Sequence, residues 1–168
     1  GLTDANTFFI SSSAPAGGDG SMARPWNSLG ALTNNAGGRL NGKTVILLPG
    51  LYTTRAEVVF DASYTNLTVK GMDQQNVRIV SATNNCRIFT CAPGGTNIII
   101  DGMTLTCTNT SGNGGAVYLR AGSRVQNCTF TGNSAWTGAG AYCSSGGVVQ
   151  SCTFTRNSSG ASGGGVYC

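Results

Sequence analysis

Six carboxylates, ten Lys or Arg side chains and no histidine set the chemistry open to this 168-residue chain. The acids are Asp4, Asp19, Glu57, Asp61, Asp73 and Asp101. Acid–base work on a glycosidic bond needs two carboxyls held together, one to donate a proton and one to act as base or nucleophile. A calcium site needs several oxygen ligands converging on one point. This sequence has no recurring aspartate column. Only Asp73 and Asp101 fall near one another in repeat position, with Lys70 in the column of Asp101, and a Lys70–Asp101 surface pair of little energetic weight is the simplest reading. The absence of His removes imidazole triads and the usual imidazole metal site. The chain therefore reads as non-catalytic, with no catalytic residue, no metal ligand and no cofactor expected.

Seven cysteines are the other reactive set. No CxxC pairing suggests zinc, and a catalytic thiol lacks the His partner it usually needs. Structural roles remain. Cys86 and Cys91 form the best local disulfide candidate. Cys128 with Cys152, and Cys143 with Cys168, stand at equivalent repeat positions, where stacked residues about 4.8 Å apart fall inside the disulfide window of roughly 4.4–6.8 Å. Parallel Cβ vectors oppose closure, so a ladder of buried thiols is the competing reading. Seven is odd, which leaves at least one thiol free or shared with another chain.

Asn66, Asn109, Asn127 and Asn157 each begin an Asn-x-Ser/Thr sequon and are N-glycosylation candidates. Charged residues make up only 10% of the chain, against about 25% for an average soluble domain. The net charge of +4 is scattered, so a nucleic-acid footprint is not expected. No apolar stretch is long enough to span a membrane. Cysteine usage and the neutral, Gly-, Ser- and Asn-rich composition point to an extracellular or cell-surface location.

The elements that position these residues follow from a repeat. Cys128-Thr129-Phe130-Thr131-Gly132-Asn133-Ser134 returns as Cys152-Thr153-Phe154-Thr155-Arg156-Asn157-Ser158, 24 residues later. Gly138-Ala139-Gly140-Ala141-Tyr142-Cys143 returns as Gly163-Gly164-Gly165-Val166-Tyr167-Cys168, and Gly114-Gly115-Ala116-Val117-Tyr118-Leu119 precedes both. Short β-branched runs punctuated by Gly, Asn and Ser at this period mark a solenoid. The expected fold is all-β: a right-handed parallel β-helix of about five rungs. It forms one domain over 1–168, with an N-terminal strand and cap in 1–42 and rungs in 43–168. Pro25, Trp26, Leu29 and Leu32 fit a short capping helix that stops at Gly37-Gly38.

Aligning rungs puts Lys70, Asp101, Gln126 and Gln150 in one column. Alternation turns Val69, Ile100, Val125 and Val149 inward, followed by Met103, Cys128 and Cys152, then Leu105, Phe130 and Phe154. Tyr118, Tyr142 and Tyr167 form a column that the same alternation turns outward. It is a possible binding or assembly surface, fit to stack on sugar rings or pack against a neighbouring subunit, unless a loop of the chain covers it. Asn133 and Asn157 fit an internal amide ladder.

Gly114–Val117, Phe130–Asn133 and Phe154–Asn157 carry GGA[ILV] and FxxN motifs, and in these the chain resembles the polymorphic-outer-membrane-protein type of repeat. Gly138–Ala141 and Gly163–Val166 depart from the GGA pattern. The opening region, Gly17 to Tyr52, is similar to that of the pectate-lyase-like superfamily of right-handed β-helices. The resemblance implies the fold. That superfamily includes lyases, which bind calcium through clustered aspartates and use an Arg or Lys base, and this chain lacks the cluster.

The last full-strength repeat reaches Cys168, where an open solenoid end with unpaired backbone and apolar ladders is expected. The role expected first is a secreted, non-catalytic building block of an extracellular fibre or surface layer, self-associating head to tail. A carbohydrate-binding or polysaccharide-degrading β-helix, or a cell-surface adhesin, is the alternative, with glycans as partners.

Overall fold

A computed structural model describes residues 6–35, 38–84, 87–108, 111–120 and 122–168. Cys86, Asn109, Asp4 and Gly37 lie outside the described residues.

The chain winds as a stack of parallel strands. β1 (Thr7–Ile10) begins it, and α1 (Gly30–Asn34) follows. The first full coil runs through β2 (Thr44–Leu47), β3 (Gly50–Thr54) and β4 (Val58–Phe60). The second holds β5 (Thr65–Gly71), β6 (Val77–Ser81) and β7 (Phe89–Cys91), and the third β8 (Thr96–Asp101), β9 (Thr104–Thr106) and β10 (Val117–Leu119). The fourth contains β11 (Ser123–Gln126), β12 (Thr129–Thr131), β13 (Ser134–Thr137) and β14 (Ala141–Cys143). The fifth contains β15 (Val148–Gln150), β16 (Thr153–Thr155), β17 (Ser158–Ser162) and β18 (Val166–Tyr167).

Like strands of successive coils pair in parallel. One sheet runs β1-β2-β5-β8-β11-β15, a second β3-β6-β9-β12-β16 and a third β4-β7-β10-β14-β18, with β13 and β17 forming a short fourth side. Thr129, Phe130 and Thr131 stand against Thr153, Phe154 and Thr155. This is the architecture expected from the repeat: an all-β parallel solenoid of about five turns.

Alternation fills the interior. Val45, Val69, Ile100 and Val125 share one register column and are fully buried. Tyr52, Ile79, Leu105 and Phe130 form another. At roughly 25 cal/mol per Å² of apolar surface, burying these columns is the main stabilising term. Tyr52 enters the core with its hydroxyl satisfied, donating to the Leu48 carbonyl at 2.6 Å with the Ile10 carbonyl 2.9 Å away. Burial pushes that phenol up to about 12.

Pro49 turns the corner between β2 and β3, which lie on different sheets. Met103 is fully buried while Met72 is 51% exposed, since the second coil carries a longer corner after β5. One detail differs from the sequence expectation. The helix does not begin at Pro25. Trp26 instead makes a parallel bridge to Ile10, donating to the Phe9 carbonyl at 3.0 Å and accepting from Ser11 N–H at 2.8 Å. Unpaired groups along β1 compete for this backbone, and the sheet edge wins. The Trp26 ring stacks on Phe8 at 4.9 Å, and the Arg39 guanidinium lies over both rings. Leu29, Ala31 and Leu32 then carry the covering role, all buried.

Candidate functional site

The outer face of the third sheet carries the candidate surface. Tyr118 stands against Tyr142 in register, and Tyr142 against Tyr167. Their flanking residues Val117, Leu119, Ala141 and Cys143 are buried, so the strand pleat turns the tyrosines outward. The rings stack at 4.9 Å between Tyr118 and Tyr142 and 5.3 Å between Tyr142 and Tyr167. Tyr118 and Tyr142 are half-buried, and Tyr167 is 42% exposed.

Below the tyrosines the same column continues through Thr90 and Val59. Arg87 anchors this end. Its guanidinium pairs with Glu57 at 2.9 Å, donates to Thr90 Oγ1 at 3.0 Å and to the Gly114 carbonyl at 3.0 Å, and lies 5.2 Å from the Tyr118 ring centre. The Thr90 hydroxyl also donates to Glu57. Arg120 approaches Tyr118 at 5.1 Å. Two cations against a π face rigidify this tyrosine. Ring faces inside the ladder are occupied by their neighbours, so the surface presents ring edges and hydroxyls rather than flat platforms for a sugar ring.

The carboxylates serve turns. Asp73 accepts from Asn76 Nδ2 and from Gln75 N–H at 2.9 Å, and these bonds, led by Asn76, hold it below its ordinary range. Asp61 and Asp19 are likewise lowered, chiefly by the Ser63 and Ser21 hydroxyls. Lys70 and Asp101 are register partners, but Asp101 accepts from Gln126 Nε2 at 3.1 Å and Asn127 Nδ2 at 2.9 Å and makes no ion pair with Lys70 among the described residues. Neighbouring amides in the column reach the carboxylate first. Among the described residues no group of three or more His, Cys, Asp or Glu is placed to hold a metal, and no helix is long and apolar enough to cross a membrane.

Neither stacked cysteine pair is bridged in this structure. Cys91, Cys128, Cys143, Cys152 and Cys168 are free thiols, and the suggested partner of Cys91, Cys86, lies outside the described residues. Stacked side chains leaving parallel strands point the same way, which keeps the thiols side by side. They fill the columns as small apolar groups. Cys128 is fully buried, and burial pushes both Cys91 and Cys128 up to about 12. Cys143 is raised by burial and then by its contact with the Cys168 thiol.

The sequon asparagines divide. Asn66 accepts from Asn97 Nδ2 at 2.9 Å at an exposed corner, and Asn127 is exposed beside Asp101. Asn157 faces the interior. Its Nδ2 donates to the Phe130 carbonyl at 3.0 Å, and its Oδ1 accepts from Asn133 N–H at 3.0 Å and Asn133 Nδ2 at 2.7 Å. Asn133 repeats the arrangement one coil earlier, accepting from Cys107 N–H at 2.6 Å and donating to Leu105 O at 3.2 Å. The FxxN asparagine is thus the internal amide ladder that its position suggested.

The glycine motif has an equally local cause. Gly114, Gly138 and Gly163 occupy one column with φ of 73°, 63° and 66°, a left-handed corner before the third sheet. A Cβ on Gly115 would stand 1.9 Å from the Ala139 carbonyl oxygen of the next coil. The first glycine turns the chain, and the second admits the neighbouring backbone.

Sequence reading missed Trp136. It stands on β13, whose polar Ser-Ala-Trp-Thr composition concealed a strand, and it is 59% exposed. The available signal was the β-favouring Trp136-Thr137 pair three residues after the FxxN asparagine.

Residues 151–168 match the family model described as the Chlamydia polymorphic membrane protein repeat. The matched segment contains β16, β17 and β18, with Phe154–Asn157 and Gly163–Val166. No curated protein and no solved structure matches the chain. The fold, the amide ladder and the matched repeat agree: this is a parallel β-solenoid repeat protein whose fifth coil is similar to a polymorphic membrane protein repeat.

Proposed function

We propose that the protein is a surface-located, non-catalytic β-solenoid, a building block of an extracellular fibre or surface layer that assembles by coil-on-coil stacking. The observation that carries this reading is the in-register stacking of like side chains from coil to coil: Val117, Ala141 and Val166 share one column, and Phe130 lies over Phe154 with ring centroids 4.8 Å apart. Coils that repeat one register can pair with a second copy stacked head to tail as they pair with each other, and such a contact generates a filament when it does not close. The surface location leans on the repeat match, since that family model is named for a membrane protein. The cysteines, being thiols, add nothing to it.

Negative-stain microscopy and sedimentation of the chain over a range of concentrations test the proposal. End-to-end rods that disappear in a Val166→Lys, Tyr167→Lys double variant are expected. Uniform monomers at every concentration would overturn it.

A further inference from the structure

We propose that Trp136 is the platform of a binding site for a neutral carbohydrate ring. The site lies on the short fourth side of the solenoid, where β13 and β17 pair with a register shift between Ala135 and Thr137. Ala135 points inward and is buried, so Trp136 is directed outward. A cavity of about 360 Å³ opens beside the indole, lined also by Ser111, Ser134, Ser158 and Gly160.

The indole is seated, not loose. A Cβ on Gly160 would stand 2.9 Å from Trp136 Cε3 and 3.1 Å from Cζ3, so the ring lies against the backbone of the next coil at a position with no side chain. Its own backbone N–H donates to the Gly112 carbonyl at 3.0 Å. The residue stays 59% exposed although its ring rests against Gly160, and it lines the cavity, so part of the indole is open to a ligand there. The tyrosine rings, by contrast, stack on one another.

The lining chooses the ligand class. An open aromatic face accepts the apolar C–H face of a pyranose, and serine hydroxyls both donate to and accept from sugar hydroxyls. Among the described residues no charged side chain lines the cavity, which gives an acidic sugar no counter-charge and favours a neutral one. The volume is within the range typical of small-ligand pockets. This site does not depend on the assembly reading, since it sits on a side of the coil rather than on its edge.

The test uses neutral hexasaccharides of β-1,4-linked glucose, of mannose and of N-acetylglucosamine, with hexagalacturonate as the acidic arm. Binding is followed by saturation-transfer NMR on the sugar and by tryptophan emission, where buried Trp26 contributes a constant background read from the Trp136→Phe variant. The expected result is saturable binding of at least one neutral sugar with a change in Trp136 emission. Trp136→Ala should weaken binding at least tenfold, and Trp136→Phe should retain most of it. The proposal is overturned by no saturable binding of any neutral sugar, by unchanged binding in Trp136→Ala, or by preference for hexagalacturonate. It is also overturned if Trp136 emission shifts with protein concentration alone, which would mark a protein contact. Thermal melts confirm that both variants fold, and sedimentation of the same samples reports assembly separately.

Discussion

The ring of Phe130 lies over that of Phe154 with centroids 4.8 Å apart and planes 5° from parallel. Twenty-four residues of chain separate them, so one circuit of the backbone returns the side chain to its starting azimuth. The two phenylalanines differ in burial, Phe130 being fully enclosed. Phe130→Ala should therefore cost about 3–5 kcal/mol, and Phe154→Ala distinctly less. Urea unfolding of the two variants compares them, and equal losses would contradict the packing described.

Asn133 is the fully enclosed member of the amide ladder, 1% exposed, and its side chain closes the Cys107 N–H and the Leu105 carbonyl. Replacing it by Ala leaves the Cys107 N–H and the Leu105 carbonyl without the partners it supplies and removes the anchor of Asn157. An unsatisfied buried group costs about 1–3 kcal/mol, and Asn133→Ala should destabilise by about 2–4 kcal/mol. Asn133→Asp should do no better, because the carboxylate cannot donate to Leu105 O. Chemical unfolding measures both.

Corner geometry gives predictions of opposite sign. Arg156 takes a φ of 55° where the preceding coil has Gly132 at 65°. A left-handed backbone costs a side-chain-bearing residue about 1 kcal/mol or more, so Arg156→Gly should stabilise by a few tenths to about 1 kcal/mol. Gly115→Ala should strongly destabilise, since its Cβ meets the Ala139 carbonyl oxygen. Melting temperatures of the two variants should move in opposite directions.

The thiols should report the coil interior. A disulfide-exchange reagent should modify exposed Cys168 first and half-exposed Cys152 more slowly, and reach Cys91 and Cys128 only on unfolding. Alkali should act through the same burial. Cys91 and Cys128 sit near 12 in the fold against an ordinary value near 9. The folded form thus holds its protons more tightly. Stability is fully present below about pH 9 and falls as pH rises toward 12, by at most about 1.4 kcal/mol per pH unit for each thiol. Cys128→Ala should lose stability at pH 8 and show a shallower decline between pH 9 and 11 in urea titrations.

Much of this was legible in the residues. The 24-residue return fixed which strands stack, and Val–Tyr–Leu against Ala–Tyr–Cys revealed the outward tyrosines. The asparagine ladder was readable because an amide recurring after an apolar column has both donors and acceptors to place. Other features were hidden for physical reasons. β13 and β17 are serine-rich strands held by register with a neighbouring coil, not by apolar alternation of their own. Trp26 fits a helix on spacing alone, and only the unpaired edge of β1 explains why it bridges instead. Arg87 and Glu57 are 30 residues apart in sequence and meet only because their coils are adjacent. The cysteine columns were readable as columns, while their redox state depends on side-chain direction.

The measurement that bears most directly on the coil is a set of backbone nuclear Overhauser effects across β12 and β16 in the isotope-labelled protein. In-register parallel pairing predicts contacts linking Thr129, Phe130 and Thr131 to Thr153, Phe154 and Thr155 in the same order, together with ring-to-ring contacts between the two phenylalanines. Contacts running in the reverse order, or none at this offset, would contradict the solenoid and with it the assembly built on its edge.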